Sequence, residues 1–131
     1  MTIVDEKLRI VHADAVSFQR DLSDHGLVNG VHAKAGAVVT QPTIMYIEAL
    51  ELLFGKLTAA KFDFGSVAAI SGSGQQHGSV YWRTGAAATL RGLKPGAGSL
   101  VSQLSGAFSV PESPIWMVRG RAKTGAAWGG I

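Results

Sequence analysis

Hydrophobic and polar positions are interleaved irregularly at the start of the chain and then settle into a helical period. Thr2–Val4 is a short apolar run and Asp5-Glu6-Lys7 has the polarity of a turn. Leu8-Arg9-Ile10-Val11, followed by Ala15-Val16-Ser17-Phe18, is a mixed extended segment, so a β-hairpin is expected. Residues 19–36 are polar and contain Gly26, Asn29-Gly30 and Gly36, the marks of a loop with tight turns. Helix signals begin at Thr40-Gln41-Pro42. Thr or Gln can stand at the cap, and Pro is tolerated in the first turn because its missing N–H had no helical partner. Ile47, Leu50, Phe54 and Leu57 then share one face, with Glu48, Glu51 and Gly55 on another. This spacing predicts an amphipathic helix to about Ala60.

Lys61-Phe62-Asp63-Phe64-Gly65 ends that helix, and Val67-Ala68-Ala69-Ile70 follows as a short uncharged run. A parallel strand covered on both faces has this composition. After a Gly/Ser/Gln/His loop, Val80-Tyr81-Trp82 resumes strand character. Residues 85–106 are rich in Gly, Ala, Ser and Leu, with a turn at Lys94-Pro95-Gly96 and room for one short helix near Leu100–Leu104. Pro111-Glu112-Ser113-Pro114 precedes the apolar piece Ile115-Trp116-Met117, after which no apolar period remains and the tail reads as loose. The order hairpin, helix, strand, loop, strand points to an α/β fold.

Composition narrows the picture. A chain of 131 residues with 47% hydrophobic and 16% charged content is the size of one domain and has enough apolar material for a core. Intrinsic disorder is thereby excluded. There is no Cys, hence no disulfide framework, thiolate nucleophile or Cys-type zinc site. No stretch approaches the ~20 apolar residues needed to cross a bilayer. The early acids Asp5 and Glu6 do not fit a signal peptide. No membrane association is expected, and a reducing, cytoplasmic setting is. Residues 1–63 hold eight of the nine acids and six of the twelve bases; residues 64–131 hold only Glu112 against six bases. Three of those bases, Arg119, Arg121 and Lys123, lie in the tail, and none forms a stripe on a periodic element. No nucleic-acid partner is therefore expected.

The chemistry concentrates in Ser71-Gly72-Ser73-Gly74-Gln75-Gln76-His77-Gly78-Ser79, at the carboxyl end of the expected strand. Ligands of open α/β sheets bind outside such ends. Amides, hydroxyls and one imidazole supply both donors and acceptors, as a polyhydroxylated substrate demands. Tyr81 and Trp82 are near enough in sequence to add an apolar wall. An alternative is a polar surface turn whose glycines serve geometry alone. The run is not a dinucleotide fingerprint, because His77 stands where the third Gly would be. It is not a phosphate loop, because no Lys follows, nor a nucleophile elbow, because Ser71 and Ser73 lack the flanking pair of glycines. His12, His25 and His32 lack metal-ligand spacing and are read as surface residues; Asp21 and Asp24 are read as solvated loop acids.

Gly74-Gln75-Gln76-His77-Gly78-Ser79-Val80-Tyr81-Trp82 resembles the sugar-binding segment of eukaryotic-type xylulose kinases, members of the FGGY carbohydrate kinases. Weaker landmarks agree: Phe18-Gln19-Arg20-Asp21-Leu22, Gly30-Val31-His32, Pro42-Thr43-Ile44-Met45, Phe62-Asp63-Phe64 and Ser113-Pro114-Ile115-Trp116-Met117. The resemblance covers about Thr2 to Met117. It implies a partial ribonuclease H-like (actin-like ATPase) domain, a mixed sheet with covering helices, over residues 1–117, and an unrelated tail over 118–131. It implies a parent activity that phosphorylates D-xylulose to D-xylulose 5-phosphate with ATP and Mg²⁺. Carried over residue by residue, it assigns sugar contact to His77 and Gln76, with Gln75 and Ser79 as further candidates. The family's opening Asp-Gly-Thr element, its general-base aspartate and its ATP-binding domain have no counterpart in this sequence. Val118 follows Met117 where the family has Asp. Without those parts no catalytic residue is assigned, ATP and Mg²⁺ are not expected to bind well, and no kinase turnover by this chain is expected. A non-catalytic sugar-binding or regulatory module is the alternative, and a basic nucleic-acid-binding module, whose affinity would fall steeply with salt, ranks behind it. Missing strand partners should also make the chain poorly soluble by itself.

Overall fold

The computed structural model describes residues 1–35, 38–74, 76 and 78–115. The chain opens with the expected hairpin. Strand β1 (Thr2–Val4) pairs antiparallel with β2 (Ile10–Ala13), and the register slips between Ile3 and Val4. Asp5 sets the turn: its carboxylate accepts the Lys7 and Arg9 N–H groups at 2.9 and 3.0 Å, while Leu8 takes a left-handed φ of 59°.

The extension expected for Ala15–Phe18 is not formed. Ser17 instead caps a short helix, α1 (Phe18–Asp21), by accepting the Arg20 N–H. The Asp21 carboxylate reaches back to accept the Ser17 N–H at 2.8 Å, a reciprocal box that favours helix over strand. The Arg20 guanidinium, then the Ser17 N–H, holds the Asp21 carboxyl down at about 2, against an ordinary 3.8. A depressed folded-state pKa contributes stability that is fully present above the unfolded value and is lost as pH falls from about 4 through about 2. An NMR titration is expected to show an Asp21 midpoint near 2 that returns toward the ordinary carboxylate value in Arg20→Ala. An unchanged midpoint would remove Arg20 as the cause.

Within residues 19–36 the structure holds more order than a loop. A 3₁₀ turn (Ser23–His25) ends at Gly26, whose φ of 63° needs no Cβ clearance. Val28 and Val31 then exchange backbone hydrogen bonds of 3.0 and 3.1 Å across Asn29-Gly30, both left-handed at φ 51° and 76°. Two positive φ values are what the tightest hairpin turns require, and Asn-Gly meets that need.

Strands β3 (His32–Lys34), β4 (Val38–Pro42) and β5 (Glu112–Pro114) form a three-stranded antiparallel sheet with β4 in the middle. The helix signals at Thr40-Gln41-Pro42 therefore fall inside a strand. Pairing with β5 takes up their backbone, and Pro42 pairs with Glu112 beyond the end of β3, where its missing N–H breaks no β3 bond. Helix α2 starts later, at Met45, and runs to Ala59 as the apolar period predicts. Its buried stripe is Met45, Ala49 and Leu57, while Leu50 stays exposed. Ile47 packs against a small cluster of Ala86, Leu104, Ala107 and Leu93, contributed by α3 (Ala86–Arg91), α4 (Leu100–Leu104) and their flanks. The α4 helix lies where a short helix is expected. The Glu51 carboxylate of α2 accepts its Leu100 and Val101 N–H groups at 2.5 and 3.4 Å, fixing the two helices together.

The buried parallel strand expected at Val67–Ile70 is not formed. A 3₁₀ turn (Phe64–Ser66) leads into a run that is exposed throughout, Ile70 to 84%. Ala68 to Gly74 make no backbone hydrogen bond to another described residue. An apolar run becomes a buried strand only with strands along its edges and layers over its faces; among the described residues all strand pairing is antiparallel and none of it reaches this run. The result is an α/β chain with two small antiparallel sheets.

Candidate functional site

The polar loop 71–79 is tied down at its far end. The Ser79 N–H donates to the Pro114 carbonyl of β5 at 3.1 Å. Two residues on, the Tyr81 carbonyl accepts the Ser109 N–H and hydroxyl at 2.9 and 3.2 Å, and the Arg83 N–H donates to Ala107 at 2.8 Å. Val80-Tyr81-Trp82 is therefore extended alongside residues 107–109, with one isolated bridge, Trp82 to Phe108, instead of a regular strand. The Trp82 and Phe108 rings meet at 4.7 Å and 41°. Tyr81 and Trp82 keep 43% and 45% of their surface exposed, so an aromatic wall stands at the foot of the loop.

Of the four candidate contacts, Gln76 is exposed in a turn and Ser79 is half-buried at the anchor. His77 and Gln75 lie outside the described residues. Residues 71–74 are exposed. Two hollows, of about 560 and 300 Å³, are lined by α2 and by residues 21–25, and neither includes a residue of the loop. Among the described residues of the loop, 71–74, Gln76 and Gly78 are exposed, and the half-exposed Tyr81 and Trp82 follow the anchor at Ser79.

A second polar constellation lies on the same sheet. Glu112, the only acid after Asp63, accepts the Thr40 hydroxyl at 2.6 Å, faces His32 Nδ1 at 3.2 Å and has the Lys34 ammonium 3.8 Å away. Partial burial pushes the Glu112 carboxyl up, but the Thr40 and His32 hydrogen bonds and the Lys34 charge outweigh it and leave it below the ordinary value. His32 Nε2 lies 2.6 Å from the His25 carbonyl oxygen, and the His25 ring pairs with Glu48 of α2. His25 and His32 are therefore half-buried and paired, not the surface residues their spacing suggests; His12 is also half-buried, but its buried Nε2 has no hydrogen-bond partner among the described residues. Nothing local could have revealed these pairs, because the partners are 23 and 80 residues apart. The lone acid in a basic half was the one sequence-level signal for Glu112. Asp21 takes Arg20 as its partner and not Asp24.

Among the described residues, no three His, Asp or Glu side chains converge as metal ligands, and no helix is long and apolar enough to cross a membrane.

No protein-family model matches the chain. Curated relatives do. A xylulose kinase of Mus musculus is 48% identical over 115 residues, which is 87% of this chain and 21% of the relative. A xylulose kinase 2 of Arabidopsis thaliana is 46% identical over 118 residues, 88% of this chain and 21% of the relative. A xylulose kinase of Saccharomyces cerevisiae is 38% identical over 122 residues, 92% of this chain and 20% of the relative. The chain spans about a fifth of the length of the curated relatives it matches.

Proposed function

We infer that this chain, a homologue of the xylulose kinases along 87–92% of its own length, supplies sugar-contacting residues to an enzyme that phosphorylates D-xylulose to D-xylulose 5-phosphate. The observation that carries this reading is the 46–49% identity to animal and plant xylulose kinases, together with a loop of amides and hydroxyls anchored beside Tyr81 and Trp82. A ketose presents a row of hydroxyls and apolar C–H faces. His77 and Gln76 are the proposed principal contacts, with Gln75 and Ser79 supporting them. A neutral imidazole and a carboxamide each donate and accept, so one such group can bridge neighbouring hydroxyls. The half-exposed rings of Tyr81 and Trp82 offer flat apolar surface for the sugar's C–H face.

The proposed setting is a ribonuclease H-like kinase of the FGGY type, working in the cytoplasm with ATP and Mg²⁺. In such a kinase the metal and the nucleotide supply the phosphoryl group and the charge that stabilises its transfer. The described residues do not fit that role: they offer no convergent metal ligands. No step is therefore assigned to them beyond holding the sugar. A second reading is a sugar-binding module without turnover of its own.

Calorimetry with D-xylulose tests the sugar reading. Saturable binding is expected. His77→Ala should weaken it about 5- to 30-fold, the loss of one or two ligand hydrogen bonds of ~1 kcal/mol each. Absence of saturable binding by the unaltered chain, or unchanged binding by His77→Ala, would contradict it. Turnover of ATP with D-xylulose would sink the second reading.

A further inference from the structure

Trp82 and Phe108 form a cross-strand pair whose closeness the backbone dictates. The Arg83 N–H donates to the Ala107 carbonyl at 2.8 Å, and the Ser109 N–H donates to the Tyr81 carbonyl at 2.9 Å. These two bonds flank Trp82 and Phe108 without joining them, which makes the pair a non-hydrogen-bonded one of an antiparallel bridge. Side chains of such a pair share one side of the ribbon and approach more closely than those of a hydrogen-bonded pair. The ring centroids accordingly lie 4.7 Å apart with a 41° tilt, within the range where aromatic pairs attract. Alternation along the extended segment sends Tyr81 to the other side. The two partners differ in burial: Phe108 is 8% exposed and Trp82 is 45% exposed. Phe108 also stands on fixed ground. Its neighbour Ala107 packs with Ala86 and Leu104, and the Ala107 N–H donates to the Leu104 carbonyl at 2.9 Å.

We propose that Phe108 is a positioning residue that holds the Trp82 ring in place, before any ligand arrives, as the platform for the apolar C–H face of a ketose. The inference rests on the sugar reading and deepens it, because it narrows the aromatic contact to Trp82. An indole turns about two bonds, and a half-exposed ring without a neighbour samples several rotamers. A sugar would then have to select one of them, and immobilising such a side chain on binding weakens affinity by about 2- to 12-fold. A ring already seated against Phe108 escapes that loss. The backbone bridge alone does not provide this, since it fixes where the Trp82 Cα stands and leaves the ring free to turn. Phe108 is itself buried and acts through Trp82. Leucine at position 108 would still fill apolar space, but it has no flat face for the indole to rest on.

The test uses the full chain with ¹⁵N-labelled tryptophan, the Trp82 indole resonance being assigned by Trp82→Phe. In the absence of sugar, the unaltered chain should show a rigid Trp82 indole by its heteronuclear NOE, and Phe108→Leu should make it mobile. Exchange protection of the Arg83 and Ser109 amides should stay the same in both, which shows that the backbone bridge survives. Calorimetry with D-xylulose should then give about 3- to 10-fold weaker binding for Phe108→Leu. Phe108→Tyr, which keeps the ring, should restore both the rigid indole and the affinity to within about twofold. An indole that stays rigid in Phe108→Leu, an unchanged affinity, or a loss in Phe108→Tyr as large as in Phe108→Leu overturns the proposal. Saturable binding that His77→Ala weakens and Phe108→Leu does not overturns this proposal alone; no saturable binding by the unaltered chain removes the sugar reading and this proposal with it. Should Phe108→Leu fail to fold, the unaltered chain decides. A Trp82 indole that is mobile without sugar, or that does not shift as D-xylulose is added, overturns the proposal, and a rigid indole that shifts on titration supports it.

Discussion

Met45→Ala is expected to lower the unfolding free energy by about 2–5 kcal/mol. Met45 is fully buried at the first position of α2, directly after the chain leaves β4. Removing its thioether forfeits the transfer energy of the deleted atoms and leaves a cavity where sheet and helix meet. The core available to absorb that loss is small. Among the described residues its other large buried apolar side chains are Leu27, Leu57, Leu104, Phe108 and Ile115. A single-domain stability is typically about 5–15 kcal/mol, so this one change removes a large fraction of it. Urea unfolding followed by circular dichroism measures the effect. Met45→Leu, which conserves volume, should cost less than about 1.5 kcal/mol. A Met45→Ala loss no larger than that of Met45→Leu would mean that the site collapses around the deletion.

Thr43→Val is expected to cost about 1–3 kcal/mol although it changes almost no volume. The Thr43 hydroxyl is 1% exposed; it donates to the Val110 carbonyl at 2.9 Å and lies 2.8 Å from the Ser113 hydroxyl, which is thereby its donor. The Thr43 N–H also donates to the Pro111 carbonyl at 2.8 Å, so this one residue fastens the start of α2 to the chain entering β5. Valine strands the Val110 carbonyl and the Ser113 hydroxyl without water to replace the lost partner. A double-mutant cycle with Ser113→Ala separates the two: removing both hydroxyls should be less costly than the sum of the single changes. Strict additivity would show that the hydroxyls do not share a bond. Because Ser113 neighbours Pro114, whose carbonyl anchors Ser79, the same cycle read by exchange at the Ser79 amide reports whether the loop feels the loss.

The elements legible from sequence are those whose causes are local. The β1–β2 hairpin follows from apolar runs around a turn that Asp5 closes with its own side chain. The Asn29-Gly30 turn follows from two residues that tolerate left-handed backbone. The long run of α2 follows from its apolar period, and α4 from a Ser99 cap that accepts the Ser102 N–H at 3.0 Å. The candidate loop can be singled out from sequence because its residues are consecutive, and the likeness to the xylulose kinases extends over 87–88% of the chain.

What the sequence by itself determined, then, is everything set within a few residues: turns, caps, helical period and the composition of the loop. Only the tertiary structure decided the rest, because the cause lies far away along the chain. Thr40-Gln41-Pro42 has the local marks of a helix start, yet β5, some 70 residues later, draws it into a strand. Val67–Ile70 has the composition of a buried strand, yet composition cannot supply the neighbouring edges and faces that burial requires, and Ile70 stays 84% exposed. His32 and Glu112 are each unremarkable in sequence; the sheet brings them within 3.2 Å and so creates a polar junction that no spacing rule could predict. Hydrogen bonds and burial depend on proximity in space, and proximity across 70 to 80 residues is a property of the folded chain.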